Sequence, residues 1–367
     1  MKLSSILSKL AALFLCAGML APVAGAGEKT ILISQSIDLS GPNGALGRDY
    51  VAGITTCFDA VNAQGGVLGK RIKYVVQDDR GDPQTAAKNA AEMAERTDYI
   101  IGGIGDESTN AILALPGMRN HLLFAPLANP QKEWEGRALI WRPGQRQEIE
   151  YLFGWFEKLG IRDVGLSYQE EHVNRQLLQF VQDQISKRGL RLSGVARVHR
   201  DNASTEREAR ALAERKPNLV FSLSDSIGAG LFLRQFRKYA PTTFVAGASL
   251  INLPTLVEIA GPRATDWAVF SQVTPNPGAP VTPLQSEHLA MMKRFRDEEA
   301  NSMTLEGYAV AKSLVKAISL ARGGSLQAAL SRKQIDLGGF NVTLTPQGGM
   351  SNYVDIALLR RGRSLMF

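Results

Sequence analysis

The chain has 367 residues, a formal net charge of +7 and 44% hydrophobic residues, a composition that supports a large folded core and excludes a disordered chain. Basic residues are scattered apart from a short run at residues 360–363, which we interpret as a solvated tail, and we expect no nucleic-acid partner. Two cysteines exclude a disulfide-built domain, and no segment after residue 26 approaches the length of a membrane-spanning helix.

The first 26 residues have the pattern of a secretory signal peptide. They contain Lys2 and Lys9, an apolar run from Leu10 to Leu20, and small residues that end at Ala26. The apolar run is too short to span a bilayer. We expect cleavage after Ala26, which leaves 341 residues with a net charge of +5, exported to the periplasm.

A single cysteine, Cys57, remains after this cleavage, so no internal disulfide can form. It shares one face of a predicted helix with Ile54, Phe58 and Val61. This pattern favours a buried structural thiol over a nucleophile.

Strands and helices alternate through the first third of the mature chain, which predicts a parallel sheet covered on both faces. A glycine-rich turn at residues 102–105 joins an apolar strand to a helix that opens at Asp106. Because this turn follows the carboxyl end of a strand and precedes exposed helical N–H groups, we expect a polar ligand to bind there. The predicted strands are 30–37, 72–77, 99–101 and 122–125, and the predicted helices are 49–64, one beginning at Pro83 and one beginning at Asp106.

The alternation continues in the second half of the chain, and the length favours two lobes. A proline- and glycine-rich segment at residues 274–280 interrupts it, and we expect the backbone to cross between lobes there. The predicted helices are 145–159, 170–188, 204–215, 227–239, 253–260, 285–299 and 303–322; the predicted strands are 163–168, 191–198, 218–223, 243–246 and 266–272, followed by β structure at 335–359 with a turn at 345–349.

One motif is similar to a dinucleotide-binding fingerprint, because Gly103 and Gly105 follow a strand and precede a helix. Ser108 at the third position and the negative charge of Asp106 and Glu107 argue against a pyrophosphate site. The four histidines are isolated from one another, and no Gly-x-Ser-x-Gly elbow occurs. We therefore expect no catalytic residues, no cofactor and no metal.

Several motifs follow one another in a characteristic order. They are Ser40-Gly41-Pro42, Gly47, residues 61–69, Asp78-Asp79, Asp82-Pro83, Ile101-Gly102 and Ala125-Pro126. Together they resemble the type I periplasmic binding proteins that serve branched-chain amino acid and amide ABC importers. The resemblance extends over essentially the whole mature chain and is weaker after residue 145.

This resemblance implies an α/β fold of two doubly wound parallel-sheet lobes joined by three crossing strands. Lobe 1 would comprise residues 27–144 plus 274–350, and lobe 2 residues 145–273 plus 351–367. It also implies a monomer without enzymatic activity, which closes about a hinge over a small polar solute and delivers it to an ABC permease in the inner membrane.

In amino-acid-binding members of this family, a serine and a small residue followed by threonine hold the α-carboxylate and α-ammonium of the ligand. Here these positions match Asp106 and Ala128-Asn129. The aromatic lid matches Leu46, and the acidic partner of the ammonium matches Ala248. The ligand-binding residues that the resemblance implies are Leu46, Asp106, Glu107, Ser108, Ala128, Asn129, His172, Val173, Asp225 and Ala248.

Asp106 has a chemical consequence, since it stands where a ligand carboxylate would otherwise dock. Two carboxylates in a closed cleft disfavour each other by a few kcal/mol unless a proton or cation intervenes. We therefore expect a zwitterionic α-amino acid to bind poorly, and a donor-rich amine, amide, urea-like or polyhydroxy solute to bind instead. The alternative for Asp106 and Asp225 is that each only caps its helix. The alternatives for the function are that the protein senses a ligand for a membrane receptor or that it is an exported α/β enzyme.

Overall fold

The computed structural model describes residues 30–170, 173, 175–331, 334–343, 349–360 and 364–367. The expected signal peptide, residues 1–26, lies outside these described residues. Two sheets of mainly parallel strands, each with its own helices, form two lobes, which confirms the expected α/β fold class. Among the described helices, none is both long and apolar enough to cross a membrane.

The first sheet is entirely parallel, with the strand order β2-β1-β3-β4-β5. Successive residues on its strands enter two different cores, as Ile100 and Ile101 show. This alternation follows from the two-residue period of a strand, and it requires helices on both faces. The elements are β1 (Thr30–Ile37), α1 (Gly44–Ala63), β2 (Arg71–Asp78), α2 (Pro83–Ala94), β3 (Tyr99–Ile101), α3 (Asp106–Leu113), β4 (Leu123–Phe124) and β5 (Ala138–Leu139).

The second sheet contains five parallel strands in the order β10-β9-β8-β6-β7. Neighbouring residues again alternate between two cores: Val220 packs in one and Phe221 in the other. The elements are α4 (Gln145–Lys158), β6 (Asp163–Tyr168), α5 (Arg175–Lys187), β7 (Arg191–Arg197), α6 (Asn202–Glu214), β8 (Leu219–Leu223), α7 (Ser226–Phe236), β9 (Phe244–Gly247), α8 (Leu253–Ala260) and β10 (Ala268–Gln272).

The last part of the chain contributes to both lobes. Its two long helices pack on the first lobe, whereas β13 and β14 extend the second sheet in antiparallel orientation beside β10. The described strands are antiparallel at this edge and in a separate two-stranded sheet of β11 and β12, which packs on the first lobe. The elements are α9 (Pro283–Phe295), α10 (Ser302–Ala321), α11 (Leu326–Leu330), β11 (Ile335–Asp336), β12 (Asn341–Val342), β13 (Asp355–Arg360) and β14 (Ser364–Met366).

Three segments carry the backbone between the lobes: residues 140–144, 273–282 and 350–354. The first and third segments run side by side, because the Met350 and Ser351 backbone nitrogens donate to the carbonyls of Ile140 and Trp141 at 2.9 and 2.8 Å. Two of the three connections between the lobes are therefore joined to each other by backbone hydrogen bonds.

Helices α1 and α10 approach each other closely. A Cβ atom at Gly53 would lie 2.0 Å from the Thr304 carbonyl oxygen, and one at Gly307 would lie 2.1 Å from the Tyr50 carbonyl oxygen. Each glycine thus admits the backbone of the other helix. Cys57, on the same helix as Gly53, is buried and unpaired, as its sequence pattern predicts.

Some predicted boundaries were wrong. Helix α1 begins at Gly44, five residues earlier than expected, because Gly44 and Gly47 let its first turn pack against the carbonyls of Leu39 and Asp38. Helices α5, α7 and α9 are shorter than expected, and α9 ends where Arg296 adopts an extended backbone. Helix α11 and strands β5 and β14 were not predicted, and the turn expected at residues 345–349 lies largely outside the described residues.

Candidate functional site

A cleft of about 420 Å³ lies between the carboxyl edges of the two sheets. The first lobe contributes the start of α1, the start of α2 and the loops that follow β3 and β4, and the second lobe contributes the loops after β8 and β9 and Val173. The first crossing segment and the first turn of α4 form its base. Ligands of parallel α/β sheets bind at such carboxyl edges, so this cleft is the candidate site.

Asp106 is the first residue of α3, and Gly105 is its N-cap, with a φ of +100° that only glycine adopts without strain. The Asp106 carboxylate does not cap the helix. Instead, its Oδ1 accepts a hydrogen bond from the Asn129 backbone nitrogen at 2.8 Å, and its Oδ2 lies 3.5 Å from Asn129 Nδ2. The alternative that Asp106 serves only as a helix cap is therefore wrong.

Asn129 connects the loop after β4 to the second lobe. While its backbone nitrogen donates to Asp106, its side-chain Oδ1 accepts from the backbone nitrogen of Gln145 at 3.1 Å. Gln145 is the first residue of α4. Asn129 thus links the first-lobe wall of the cleft to the helix that opens the second lobe.

On the opposite wall, Asp225 is the N-cap of α7, where its Oδ1 accepts from the Gly228 backbone nitrogen at 2.7 Å. It also lines the cleft, so capping and cleft lining coincide at this residue. The neighbouring Ser224 lines the cleft as well, and its buried hydroxyl has no hydrogen-bond partner among the described residues. This hydroxyl and the Asp225 carboxylate form the polar part of the second-lobe wall.

A buried charged cluster lies at the base of the cleft. The Arg142 guanidinium, only 3% exposed, lies 3.8 Å from Glu148 Oε1 and 3.4 Å from Glu306 Oε1, and it donates to Ser249 Oγ. Glu148 Oε2 also accepts from the Ser249 backbone nitrogen at 2.9 Å and from Ser271 Oγ at 2.6 Å. Arg142 lies on the first crossing, Glu148 on α4 and Glu306 on α10, so the cluster ties both lobes to the crossing segment.

Burial raises the pKa of the Glu306 carboxyl, and the Glu148 charge adds to this effect while Arg142 opposes it. Two nitrogens of Arg142, Nε and Nη1, have no hydrogen bond within the described part of the chain. The cluster therefore combines two carboxylates with one guanidinium whose donors are incompletely used.

The structure brings together nine of the ten residues that the sequence nominated. The tenth, His172, lies outside the described residues. The nine that line the cleft are Leu46, Asp106, Glu107, Ser108, Ala128, Asn129, Val173, Asp225 and Ala248.

Sequence reasoning missed Arg142, Glu148 and Glu306. A signal existed for Glu148, which occupies the buried stripe of α4 together with Leu152 and Phe156. A carboxylate at helical spacing among buried apolar residues needs a partner, because an isolated buried charge is costly. That pattern could have predicted that Glu148 is buried beside a positively charged partner.

The chemistry of the cleft is that of hydrogen bonding and charge pairing. Among the described residues, no group of three or more His, Cys, Asp and Glu side chains is arranged to hold a metal. The walls combine aliphatic side chains and backbone with the amide and hydroxyl side chains of residues such as Asn43, Ser108 and Gln145. Such a surface can bind and orient a small polar molecule with an aliphatic part.

Comparison with known proteins agrees with this architecture. Residues 30–354 match the family model described as periplasmic binding protein. The Leu/Ile/Val-binding protein homolog 1 of Brucella melitensis is 24% identical over 317 residues, which cover 81% of this chain and 80% of that protein.

Two solved structures are similar in fold. An extracellular ligand-binding receptor from Verminephrobacter eiseniae has a TM-score of 0.82 at 21% identity, over 92% of this chain and 100% of that one. A fatty acid ABC transporter substrate-binding protein from Thermomonospora curvata has a TM-score of 0.77 at 19% identity, over 93% and 92% of the two chains. The chain belongs to the periplasmic binding protein family, and it is a substrate-binding protein rather than an enzyme.

Proposed function

We propose that the protein is the solute-binding component of an ABC importer, and that it captures a small polar amino-acid-like, amide or amine solute in the interlobe cleft. The observation that carries this proposal is that one cleft is lined by polar groups of both lobes, with Asp106 on one wall and Asp225 on the other. A solute that contacts both walls binds the closed form better than the open form, so it shifts the protein toward closure.

The hinge of this closure would run through the three crossing segments. We propose lobe boundaries at residues 144/145, 273/274 and 350/351, where the chain passes between the sheets. Residues at such boundaries absorb the rotation while the sheets move as rigid units. The nine cleft residues named above, together with Arg142 and Glu148, would then form the ligand-binding set.

The solute is not settled by family membership, because the names of similar proteins differ in the ligand they mention. The Brucella melitensis relative is named for leucine, isoleucine and valine, whereas the Thermomonospora curvata protein is named for a fatty acid. In this chain the Asp106 carboxylate already accepts the hydrogen bond that the Asn129 backbone nitrogen would otherwise be able to donate to a ligand. We therefore propose that α-amino acids with a free carboxylate are poor ligands.

A thermal-shift screen of small polar solutes, followed by small-angle scattering, tests the proposal. A ligand at 100 times its dissociation constant stabilises the native state by roughly 2.7 kcal/mol, which is a clear shift for a protein of this size. We expect at least one polar solute to raise Tm and to reduce the radius of gyration. A broad screen in which no solute does either would overturn the proposal.

A second candidate is a sensor that reports the ligand to a membrane receptor. It is favoured by the similar Verminephrobacter eiseniae protein, which is named an extracellular ligand-binding receptor. Both functions use the same closure, so uptake separates them. Loss of uptake of the labelled solute after deletion of the gene supports the importer, whereas unchanged uptake supports the sensor. We further propose a periplasmic monomer, which fractionation and light scattering test.

A further inference from the structure

The charged groups of the cleft are mostly of one sign. Asp106, Glu107, Glu148 and Asp225 line it, and Arg142 is the one cation among the described lining residues. The whole chain, in contrast, carries a formal charge of +7. The negative charge of the cleft is therefore local and does not follow from the net charge of the chain. A negatively charged cleft attracts positively charged ligands.

Arg142 does not offset this negative charge. Its guanidinium lies within 4 Å of both Glu148 and Glu306, so the three side chains together leave one negative charge when all are ionised. Buried charge without a counter-charge is disfavoured, and a cation bound at the base of the cleft would relieve it.

Apart from amide and hydroxyl residues such as Asn43, Ser108 and Gln145, the uncharged side chains of the cleft wall are aliphatic. None of the described lining residues is Phe, Tyr or Trp. Quaternary ammonium ligands are held by aromatic cages, so the wall does not suit a permanently methylated cation. A protonated amine, in contrast, can donate its N–H groups to carboxylates. The aliphatic residues at the wall are Leu46, Ile104, Leu127, Val173, Leu223 and Leu250.

Arg142 also indicates a second group on the ligand. It lines the cleft, it is 3% exposed, and its Nη1 donor has no hydrogen-bond partner among the described residues. A buried donor without an acceptor costs free energy, so a ligand acceptor at this place adds affinity. A carboxylate there would approach Glu148, whereas a neutral hydroxyl or amide oxygen would not meet this repulsion.

We propose that the solute is a small aliphatic amine, bound in its protonated form, which carries a neutral oxygen acceptor and no carboxylate, as an amino alcohol or an amino amide does. This inference rests on the proposed function, because it names the class of solute for the same cleft.

Matched ligand sets test the inference. One set of ligands is built on each of alanine, valine and leucine. Each set contains the amino acid, its amide, its amino alcohol, the amide without the amino group and the amide with a trimethylated amino group. Thermal shift and calorimetry measure the affinity of each member. We expect the amides and amino alcohols with a primary amine to bind at least 10-fold more tightly than the other members of their set. Tighter binding by any zwitterionic, neutral or quaternary member would overturn the inference.

Charge variants of the protein supply the second arm. Asp106→Asn and Asp225→Asn keep a side-chain oxygen that can accept from Asn129 and Gly228, but they remove the negative charge. We expect each to weaken binding of the preferred amine at least 10-fold with little change in Tm of the free protein. Glu92→Gln, at an exposed residue of α2, is the matched control and leaves affinity unchanged.

The outcomes separate the two proposals. The amine inference is overturned if Asp106→Asn and Asp225→Asn bind the amine as tightly as the natural protein does. It is also overturned if an anionic or neutral solute of the broad screen, and none of the amines, stabilises the protein. Both results leave the proposed solute binding intact. A broad screen without any ligand overturns both.

Discussion

The Asn129 backbone nitrogen donates to the Asp106 carboxylate at 2.8 Å, so a carboxylate of the protein itself accepts the hydrogen bond of a peptide N–H group at the first-lobe wall of the cleft. The helix α3 that begins at Asp106 directs its N-terminal end to the same place. This is the position where the family resemblance puts the ligand carboxylate. Under the proposed function, the protein itself supplies a carboxylate at the place where an α-amino acid would bring its own.

Replacement of this carboxylate should change ligand selection. Two carboxylates about 4 Å apart at an effective dielectric constant near 20 repel by roughly 4 kcal/mol, which corresponds to about 1,000-fold in affinity. We expect no micromolar binding of leucine, valine or glutamate by the natural protein, and a large gain for at least one of them in Asp106→Ser. Calorimetric titration measures both. Micromolar binding of leucine, valine or glutamate by the natural protein would contradict the expected exclusion, and Asp106→Asn is the control for charge without a change of size.

Removal of Arg142 should destabilise the fold. Arg142→Met leaves Glu148 and Glu306 buried without their cation, and breaking a buried ion pair costs about 3–5 kcal/mol. Urea denaturation at pH 7.5 measures the loss, and Arg119→Met, at an exposed arginine, is the matched control. Because the raised pKa of the Glu306 carboxyl favours its protonated form in the folded protein, the deficit should shrink as pH falls toward 4.5. An equal deficit at both pH values would argue against the cluster as its cause.

The elements of this fold could be predicted where local patterns decide them. Strands β1, β3 and β6 have the predicted bounds, since each is an apolar run between turn residues. The antiparallel partnership of β13 with β10 could not be predicted, because it depends on where the chain returns to the second sheet. The start of α1 likewise could not be predicted from helical periodicity, because it depends on how closely Gly44 and Gly47 pack against the carbonyls of Leu39 and Asp38 in the preceding loop.

The walls and the base of the cleft were predictable to different degrees. Asp106 and Asp225 stand at the turns that follow β3 and β8, so their place at the carboxyl edge follows from the alternation of strands and helices. Arg142, Glu148 and Glu306 come from a crossing segment and two helices, and their association depends on how the lobes meet. Periodicity alone does not report such a contact.

Acid should destabilise the protein through His288. This residue is fully buried, its Nε2 lies 3.0 Å from Thr304 Oγ1, and burial lowers its pKa from 6.5 to about 4. The unfolded chain therefore binds more protons between these two values, so the stabilisation is complete above pH 6.5 and is lost as pH falls toward 4.

The difference between these two pKa values corresponds to a loss of about 3 kcal/mol at pH 4. Urea denaturation from pH 7 to pH 4 measures this loss. Between these pH values, His288→Gln should lose about 3 kcal/mol less free energy of unfolding than the natural protein. Parallel curves for the natural protein and His288→Gln would contradict this assignment.

The contact between α1 and α10 gives the last prediction. Because a Cβ at Gly53 or Gly307 would overlap a backbone carbonyl oxygen of the facing helix, neither site can relax by a side-chain rotation. Gly53→Ala and Gly307→Ala should therefore separate the helices and cost about 3 kcal/mol each, although alanine favours a helix intrinsically. Thermal and urea denaturation measure the loss. Gly117→Ala, where the new Cβ would lie 3.6 Å from Ala94 Cβ, is the control and should be nearly neutral. Wild-type stability of either helix variant would show that α1 and α10 can move apart at no cost.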